Sequence, residues 1–343
     1  MPIPLELARR LSVDEMIVLF KNGGMSSAKP PRRGEAIFEG TDYPRDWDGF
    51  IGQEQAIEQL RTQVVSSRAR DKRLEHTLLA SGLHGVGKTT LAHLLAFQRE
   101  VGLICTTGPL AVQDARALVS GMEDKDILFI DEAHLLVQGN RTRADWILPF
   151  LTEGKLYTDE GAQQMPDVTV VAATTDVGKL PLTLISRFMV RPKLVNYTEE
   201  EASRIVANLA VRMDVAIQPE WTAPIARAAN RNPREVRMIL TQIRDLQTAF
   251  PDKEVDLAKA FEWAGLSYDG LDTVAQDMLL VLVAAKNHTA SVDTIQAQLG
   301  EPGPLRHHEQ TLLQRGYLTI TGQGRKLTEA GVERALKLVK ERI

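Results

Sequence analysis

The sequence predicts three folded parts in series: a helix-covered parallel α/β sheet, a small all-helical domain and a C-terminal winged helix. Three observations predict it. Between Thr41 and Pro192, apolar runs suited to buried parallel strands alternate with helical stretches; the runs are Thr77 to Ala80, Ile127 to Ile130 and Val168 to Ala173. From Thr198 to Leu266, apolar residues recur only at helical spacing, as in Ile205, Leu209 and Met213, and in Val236, Ile239, Leu240 and Ile243. From Asp269 onward, helical segments at Leu271 to Ala285, Val292 to Leu299 and Pro304 to Arg315 precede a strand at Tyr317 to Ile320. A Thr321 to Gly324 turn and a strand from Arg325 follow, which is the winged-helix order. The expected boundaries are 1–40, 41–192, 193–268 and 269–343.

Composition narrows the function classes. The chain has 343 residues, 43% hydrophobic and 25% charged, with a formal net charge of −4. That is the balance of an ordinary globular protein and excludes a histone-like polybasic one, while leaving room for a local phosphate-binding face. The single cysteine, Cys105, excludes an intrachain disulfide and a Cys-rich zinc site. A reducing cytoplasm fits. The apolar runs, such as Leu279 to Ala285, fall short of the roughly 20 residues a membrane helix needs. The N-terminus carries Glu6, Arg9, Arg10, Asp14 and Glu15, so it lacks a signal peptide's apolar core. Residues 1–40 read as an extension. Ser12 and Glu15 make a capping-box pattern before Met16 to Phe20, and Ser26 to Gly34 is a flexible, basic linker.

The first strand runs into Gly82-Leu83-His84-Gly85-Val86-Gly87-Lys88-Thr89, which fits G-x-x-x-x-G-K-[ST], and a helical run from Thr90 to Arg99 follows. Glycine at these positions lets backbone N–H groups wrap a phosphate without Cβ obstruction, and the helix turns its positive end to the anion. Lys88 would reach the β- and γ-phosphates of ATP, and Thr89 would ligand Mg²⁺. The second strand ends in Asp131-Glu132. Carboxylates at a parallel strand's C-terminal edge sit where ligands bind. Asp131 can hold the Mg²⁺ shell, and Glu132 can polarise the attacking water.

These motifs, followed in order by Ala173-Thr174-Thr175, Ser186-Arg187-Phe188 and Asn232-Pro233-Arg234, resemble the AAA+ ATPases. Within them the chain most resembles the RuvB family of Holliday-junction branch-migration ATPases. Phe50-Ile51-Gly52-Gln53-Glu54, Phe129-Ile130-Asp131-Glu132-Ala133-His134, Gly270-Leu271-Asp272, Glu301, Gly316-Tyr317 and Gly324-Arg325 carry that likeness. The resemblance implies an AAA+ ATPase domain, a helical lid and a winged-helix DNA-binding domain. It implies ATP and Mg²⁺ as cofactors and a ring, of hexameric size, acting on duplex or branched DNA in recombination and repair. It makes Thr175 sensor 1, Arg187 an arginine finger presented to the next subunit, and Arg234 sensor 2. Ile51 and Gly52 would line the adenine pocket, with Val86 and Thr90 completing the nucleotide contacts. Cytoplasmic residence in a bacterial or phage-infected cell follows from the same resemblance.

Residues 301–343 hold eight Lys and Arg against five acids. Arg325 and Lys326 sit at the wing, where long cations reach phosphate, and the resemblance makes Arg325 a DNA contact. Two features depart from the family. A hairpin that docks the junction-binding partner RuvA is represented here only by the short, polar stretch from Tyr157 to Met165, and Tyr43 stands where the family has Arg. With the long extension, these mark a divergent relative whose RuvA-like contact differs. The competing reading is an AAA+ loader or nucleotide switch that places a partner on DNA. The winged helix argues against a clamp loader, which has a helical collar there.

Overall fold

The computed structural model describes residues 43–137, 145–300 and 305–341. The capping box and linker expected in residues 1–40, and Glu301, lie outside them. The chain forms two compact units that divide after Val195.

The first unit is built on a parallel sheet. Its strands are β1 (Thr77–Ala80), β2 (Leu103–Thr107), β3 (Ile127–Asp131) and β6 (Thr169–Thr174). Their spatial order is β1-β6-β3-β2, and Val190 adds a parallel bridge outside β1 at Thr77. The chain therefore steps away from β1 to one side through β2, β3 and β6 and returns to its other side. Such a reversal of strand order is where open α/β sheets bind ligands. Alternate residues face opposite ways: Ile127 and Phe129 pack with Leu79, Val171 and Ala173 under helices α1 (Glu54–Ala69) and α2 (Lys88–Arg99). Leu128 and Ile130 pack with Leu78, Val170 and Ala172 against Trp146 and Phe150, the latter in α4 (Ile147–Glu153), and Val119 of α3 (Val112–Ser120). Both faces are covered, which explains the unbroken apolar text of these strands. His76, just before β1, is buried, and its Nδ1 accepts the Val170 N–H at 2.9 Å. Burial and the nearby Arg73 charge push it down to about 3, so it serves as a neutral structural acceptor.

A separate hairpin, β4 (Lys155–Thr158) and β5 (Gly161–Gln164), packs on this unit through the buried Leu156, with Tyr157 exposed beside polar neighbours. α5 (Leu182–Ile185) precedes the turn to Val190.

The second unit opens with α6 (Glu199–Arg212), stopped at its N-terminus by a capping box in which Thr198 and Glu201 bond each other's backbone. α7 (Thr222–Ala228), α8 (Pro233–Ala249) and α9 (Leu257–Trp263) follow, with no strand among residues 199–263. The winged helix comprises α10 (Thr273–Ala284), β7 (Thr289–Ala290), α11 (Val292–Leu299), α12 (Arg306–Gln314), β8 (Leu318–Thr321), β9 (Gly324–Leu327) and α13 (Glu329–Glu341). β9 lies between β7 and β8. Gly324 is required there: its φ is +128°, and a Cβ would stand 2.3 Å from the Ala290 carbonyl oxygen.

The linker into the winged helix is fixed by a buried ion pair. Asp269 receives hydrogen bonds from Arg334 at 2.8 and 3.1 Å, from Ser267 Oγ at 2.6 Å and from the Tyr317 hydroxyl at 3.0 Å. Arg315 donates to Asn230, whose amide donates to the Gly270 carbonyl, so the helical part and the winged helix interlock.

Candidate active site

The phosphate-binding residue types come together at the C-terminal end of β1. Gly85 and Gly87 take φ values of +71° and +94°, a left-handed turn that glycine adopts freely. Ser81 Oγ accepts from the Leu83 N–H at 3.2 Å and steadies the loop entrance, and a Cβ at Gly82 would meet nothing within 4 Å. Helix α2 begins at Lys88, two residues earlier than periodicity predicts, and Gly87 gives it no side-chain cap. No N-cap side chain thus competes with an anion at this helix end. Lys88 is buried, and its Nζ donates to the Leu83 carbonyl at 2.8 Å, folded back inside the loop. Thr89 and Thr90 sit half-buried in the first turn, and Val86 is buried. A loop of glycines and N–H groups with one internal ammonium fits a polyphosphate.

Asp131 ends β3, and Thr175 follows the end of β6, the adjacent strand. The Asp131 Oδ1 accepts the Glu132 N–H at 2.9 Å. Glu132 has φ +44°, an uncommon conformation for a residue with a side chain. It brings the carboxylate onto Thr175, whose hydroxyl donates to Oε2 at 3.1 Å. His134, in the short helical turn Ala133–Val137, lies with Nδ1 3.2 Å from the same oxygen and 3.1 Å from Thr174 Oγ1. His134 falls within the Phe129 to His134 motif, and the sequence alone assigns it no role. The signal was present: a side chain two residues beyond Glu132 lies on the same turn. Among the described residues, no three His, Cys, Asp or Glu side chains cluster to hold a metal. One hydroxyl, one carboxylate and substrate phosphates are a donor set suited to Mg²⁺, which keeps its waters and needs no protein cage. Cys105 on β2 is pushed up to about 11 by burial and by the charge of Asp131, so its thiol stays protonated.

The remaining expected residues are dispersed. Arg187 is exposed just beyond α5, between Leu182, 83% exposed, and Met189, 70% exposed. Ile51 and Gly52 are half-buried ahead of α1, and Gly52 has φ +73°. Next to them the Gln53 side chain grips Val195, donating to its carbonyl at 2.7 Å and accepting its N–H at 3.0 Å. The Tyr43 ring stacks on His93 of α2 with centroids 4.5 Å apart. Arg234 belongs to the second unit, exposed in the first turn of α8, where Asn232 caps the helix by accepting its N–H at 3.0 Å.

At the wing the two expected cations differ. Lys326 is exposed. Arg325 makes a two-pronged bond to the buried Glu309 of α12, at 2.8 and 2.9 Å. That pair ties the wing to the helix and engages the guanidinium expected to meet DNA.

Residues 43–194 match the family described as the Holliday junction DNA helicase RuvB P-loop domain. Over 309 residues, 86% of this chain and 91% of the relative, the sequence is 32% identical to the Holliday junction branch migration complex subunit RuvB of Nitratiruptor sp.. It is 33% identical to the protein of that name from Chloroflexus aggregans, over 84% of this chain and 86% of the relative. Among solved structures, it resembles the Thermotoga maritima RuvB Holliday junction branch migration motor with a TM-score of 0.72 and 28% identity, covering 86% of this chain and 98% of that one. The FIGL-1 AAA domain in complex with ADP, 20% identical with a TM-score of 0.50 over 74% of this chain and 90% of that one, shares the fold.

Proposed function

Because the chain belongs to the RuvB family, we propose that it is an ATP-driven DNA motor that moves duplex or four-way-junction DNA through a ring of its own copies. The observation that carries this is the 3.1 Å meeting of Thr175 and Glu132 beside the P-loop. The likeness to branch-migration subunits covers 86% of the chain, well beyond the ATPase part, which disfavours the loader reading.

In this reading the N–H groups of the loop from Gly82 to Thr89 wrap the phosphates, and Lys88 exchanges the Leu83 carbonyl for β- and γ-phosphate oxygens. Thr89 and Asp131 would hold Mg²⁺, which when bound would neutralise phosphate charge. Glu132 takes a proton from a water whose oxygen bonds to the γ-phosphorus. The bond from that phosphorus to the bridging oxygen breaks, its electron pair leaves with ADP, and inorganic phosphate is the other product. Thr175 orients the water and Glu132. Arg187 reaches the nucleotide of a neighbouring copy in a hexameric ring and neutralises developing charge, and Arg234 touches phosphate from the lid. Ile51 and Gly52 flank the adenine, with Val86 and Thr90 beside the nucleotide. Lys326 meets DNA phosphate, and Arg325 sets the wing from its bond to Glu309. A RuvA-like partner would dock on the β4–β5 hairpin, through Tyr157 and its polar neighbours.

The test is ATP hydrolysis without DNA and with linear duplex, single strand or a four-way junction, scored with junction branch migration. Stimulation by duplex or junction with strand movement is expected. Hydrolysis with no strand movement, at concentrations where rings form, overturns the motor.

A further inference from the structure

We propose that His134 is a positioning residue for hydrolysis: its imidazole, hydrogen-bonded to Thr174 and set 3.2 Å from Glu132 Oε2, and the Thr175 hydroxyl together confine that oxygen, so that the carboxylate's other oxygen is the one presented to water. The proposal rests on reading Glu132 as the base, and three observations carry it.

The first is convergence. Glu132 Oε2 is approached by Thr175 Oγ1 at 3.1 Å, by the Thr175 backbone N–H at 3.5 Å and by His134 Nδ1 at 3.2 Å. Oε1 has none of these contacts. One oxygen is used for holding and the other is left for chemistry.

The second is the tautomer. A carboxylate only accepts hydrogen bonds. An unprotonated Nδ1 at 3.2 Å would set lone pair against lone pair, whereas a proton on Nδ1, bonded to the Thr174 hydroxyl at 3.1 Å, makes the approach to the carboxylate attractive. The other neighbour of Nδ1, Thr174 Oγ1, already accepts the Asp176 N–H at 3.0 Å. The ring is thereby pinned between the ends of β3 and β6, the two strands that carry Glu132 and Thr175.

The third is strain. A non-glycine residue at φ +44° is uncommon and persists where its surroundings hold it. The Leu135 N–H returns to the Glu132 carbonyl at 2.8 Å and folds the backbone so that His134 faces the carboxylate. Backbone and imidazole thus act on one side chain. A general base displaced by an ångström loses about 100-fold in rate, so holding it is worth as much.

The experiment compares His134→Ala, His134→Asn and His134→Gln in steady-state ATPase assays, with fluorescent-nucleotide binding and thermal melts on the same full-length proteins. The Asn amide nitrogen overlays Nδ1, and the Gln amide nitrogen overlays Nε2. His134→Ala is expected to lower kcat roughly 10- to 100-fold with nucleotide affinity within about twofold of wild type. Asn should restore most of kcat and Gln should not. In a Glu132→Gln background, His134→Ala should change nothing further. Wild-type kcat in His134→Ala, or equal rescue by Asn and Gln, overturns the proposal. Should His134→Ala fail to bind nucleotide, the Asn and Gln variants decide the matter by the same criterion. Full turnover in Glu132→Gln alone overturns the reading of the base beneath it, a result that the His134 series cannot produce.

Discussion

Removing the Asp269 carboxylate should unfold the second unit at markedly lower temperature. Asp269 and Arg334 are each about 5% exposed, and the guanidinium has two bonds to that carboxylate. In Asp269→Ala, Arg334 keeps only the Glu341 carboxylate at 3.3 Å and the face of Tyr268 at 4.9 Å. Removing one partner of a buried pair like this costs about 3–5 kcal/mol. For a unit running from Asn196 to Ile343, that corresponds to a fall in Tm of about 10–16 °C. Asp269→Asn keeps an acceptor and loses the charge, so about 1.5–3 kcal/mol is expected. Pairing Asp269→Asn with Arg334→Met removes both charges together and should recover much of the loss, since apolar replacement of both partners is often close to neutral. Calorimetry follows the transition, with Trp221 and Trp263 reporting on this unit by fluorescence. A shift below 3 °C in Asp269→Ala, or a double variant as unstable as the sum of its parts, would refute the reasoning. Acid should act similarly. Burial pushes the Asp269 carboxyl up, but the bonds from Arg334, Ser267 and Tyr317 outweigh it, and the net shift is downward. The pair's contribution is therefore complete above the ordinary carboxylate value near 3.8 and is lost as pH falls below it.

Glu235 behaves in the opposite sense. Burial foremost pushes it up to about 7 from 4.5, so the folded unit holds a proton that the unfolded chain releases, and stability should fall as pH rises from 4.5 to 7. Glu235→Gln should flatten that dependence and raise stability at pH 8 by up to about 3 kcal/mol, read from melts across pH. At the wing, Lys326→Ala should reduce the slope of log K against log salt for duplex DNA by about 0.9, while leaving Tm unchanged. Arg325→Ala strands the buried Glu309 and should instead cost on the order of 2 kcal/mol in folding stability, measured by denaturant titration. Arg187→Ala should bind ATP and lose turnover, and mixing it with Glu132→Gln protein should restore part of the activity; wild-type turnover in the unmixed variant removes the trans assignment.

Much of this molecule was legible where local chemistry decides structure. The strand Thr77–Ala80 and the helix Val292–Leu299 occur with the predicted bounds, since an uninterrupted apolar run and a Ser291 cap each leave one solution. β2 escaped notice because its residues, Leu-Ile-Cys-Thr-Thr, are only partly buried at the sheet's edge. α13 lies beyond β9, where the winged-helix order predicts nothing further, although its apolar residues Val332, Ala335 and Leu338 keep helical spacing. In the site, the residue types and order were readable, but their relations were not. Glu132 reaches Thr175 only because its backbone turns left-handed. Arg325 finds Glu309, sixteen residues earlier, only once the wing has folded over α12. Such partnerships depend on tertiary approach, for which spacing carries no signal.

The grip of Gln53 on Val195 has a mechanical meaning. Val195 is where the polypeptide leaves its first unit. It meets there a pair of hydrogen bonds from a side chain directly bonded in sequence to Gly52. The exit of the chain from its first unit is thus fastened directly beside the segment proposed to flank the adenine.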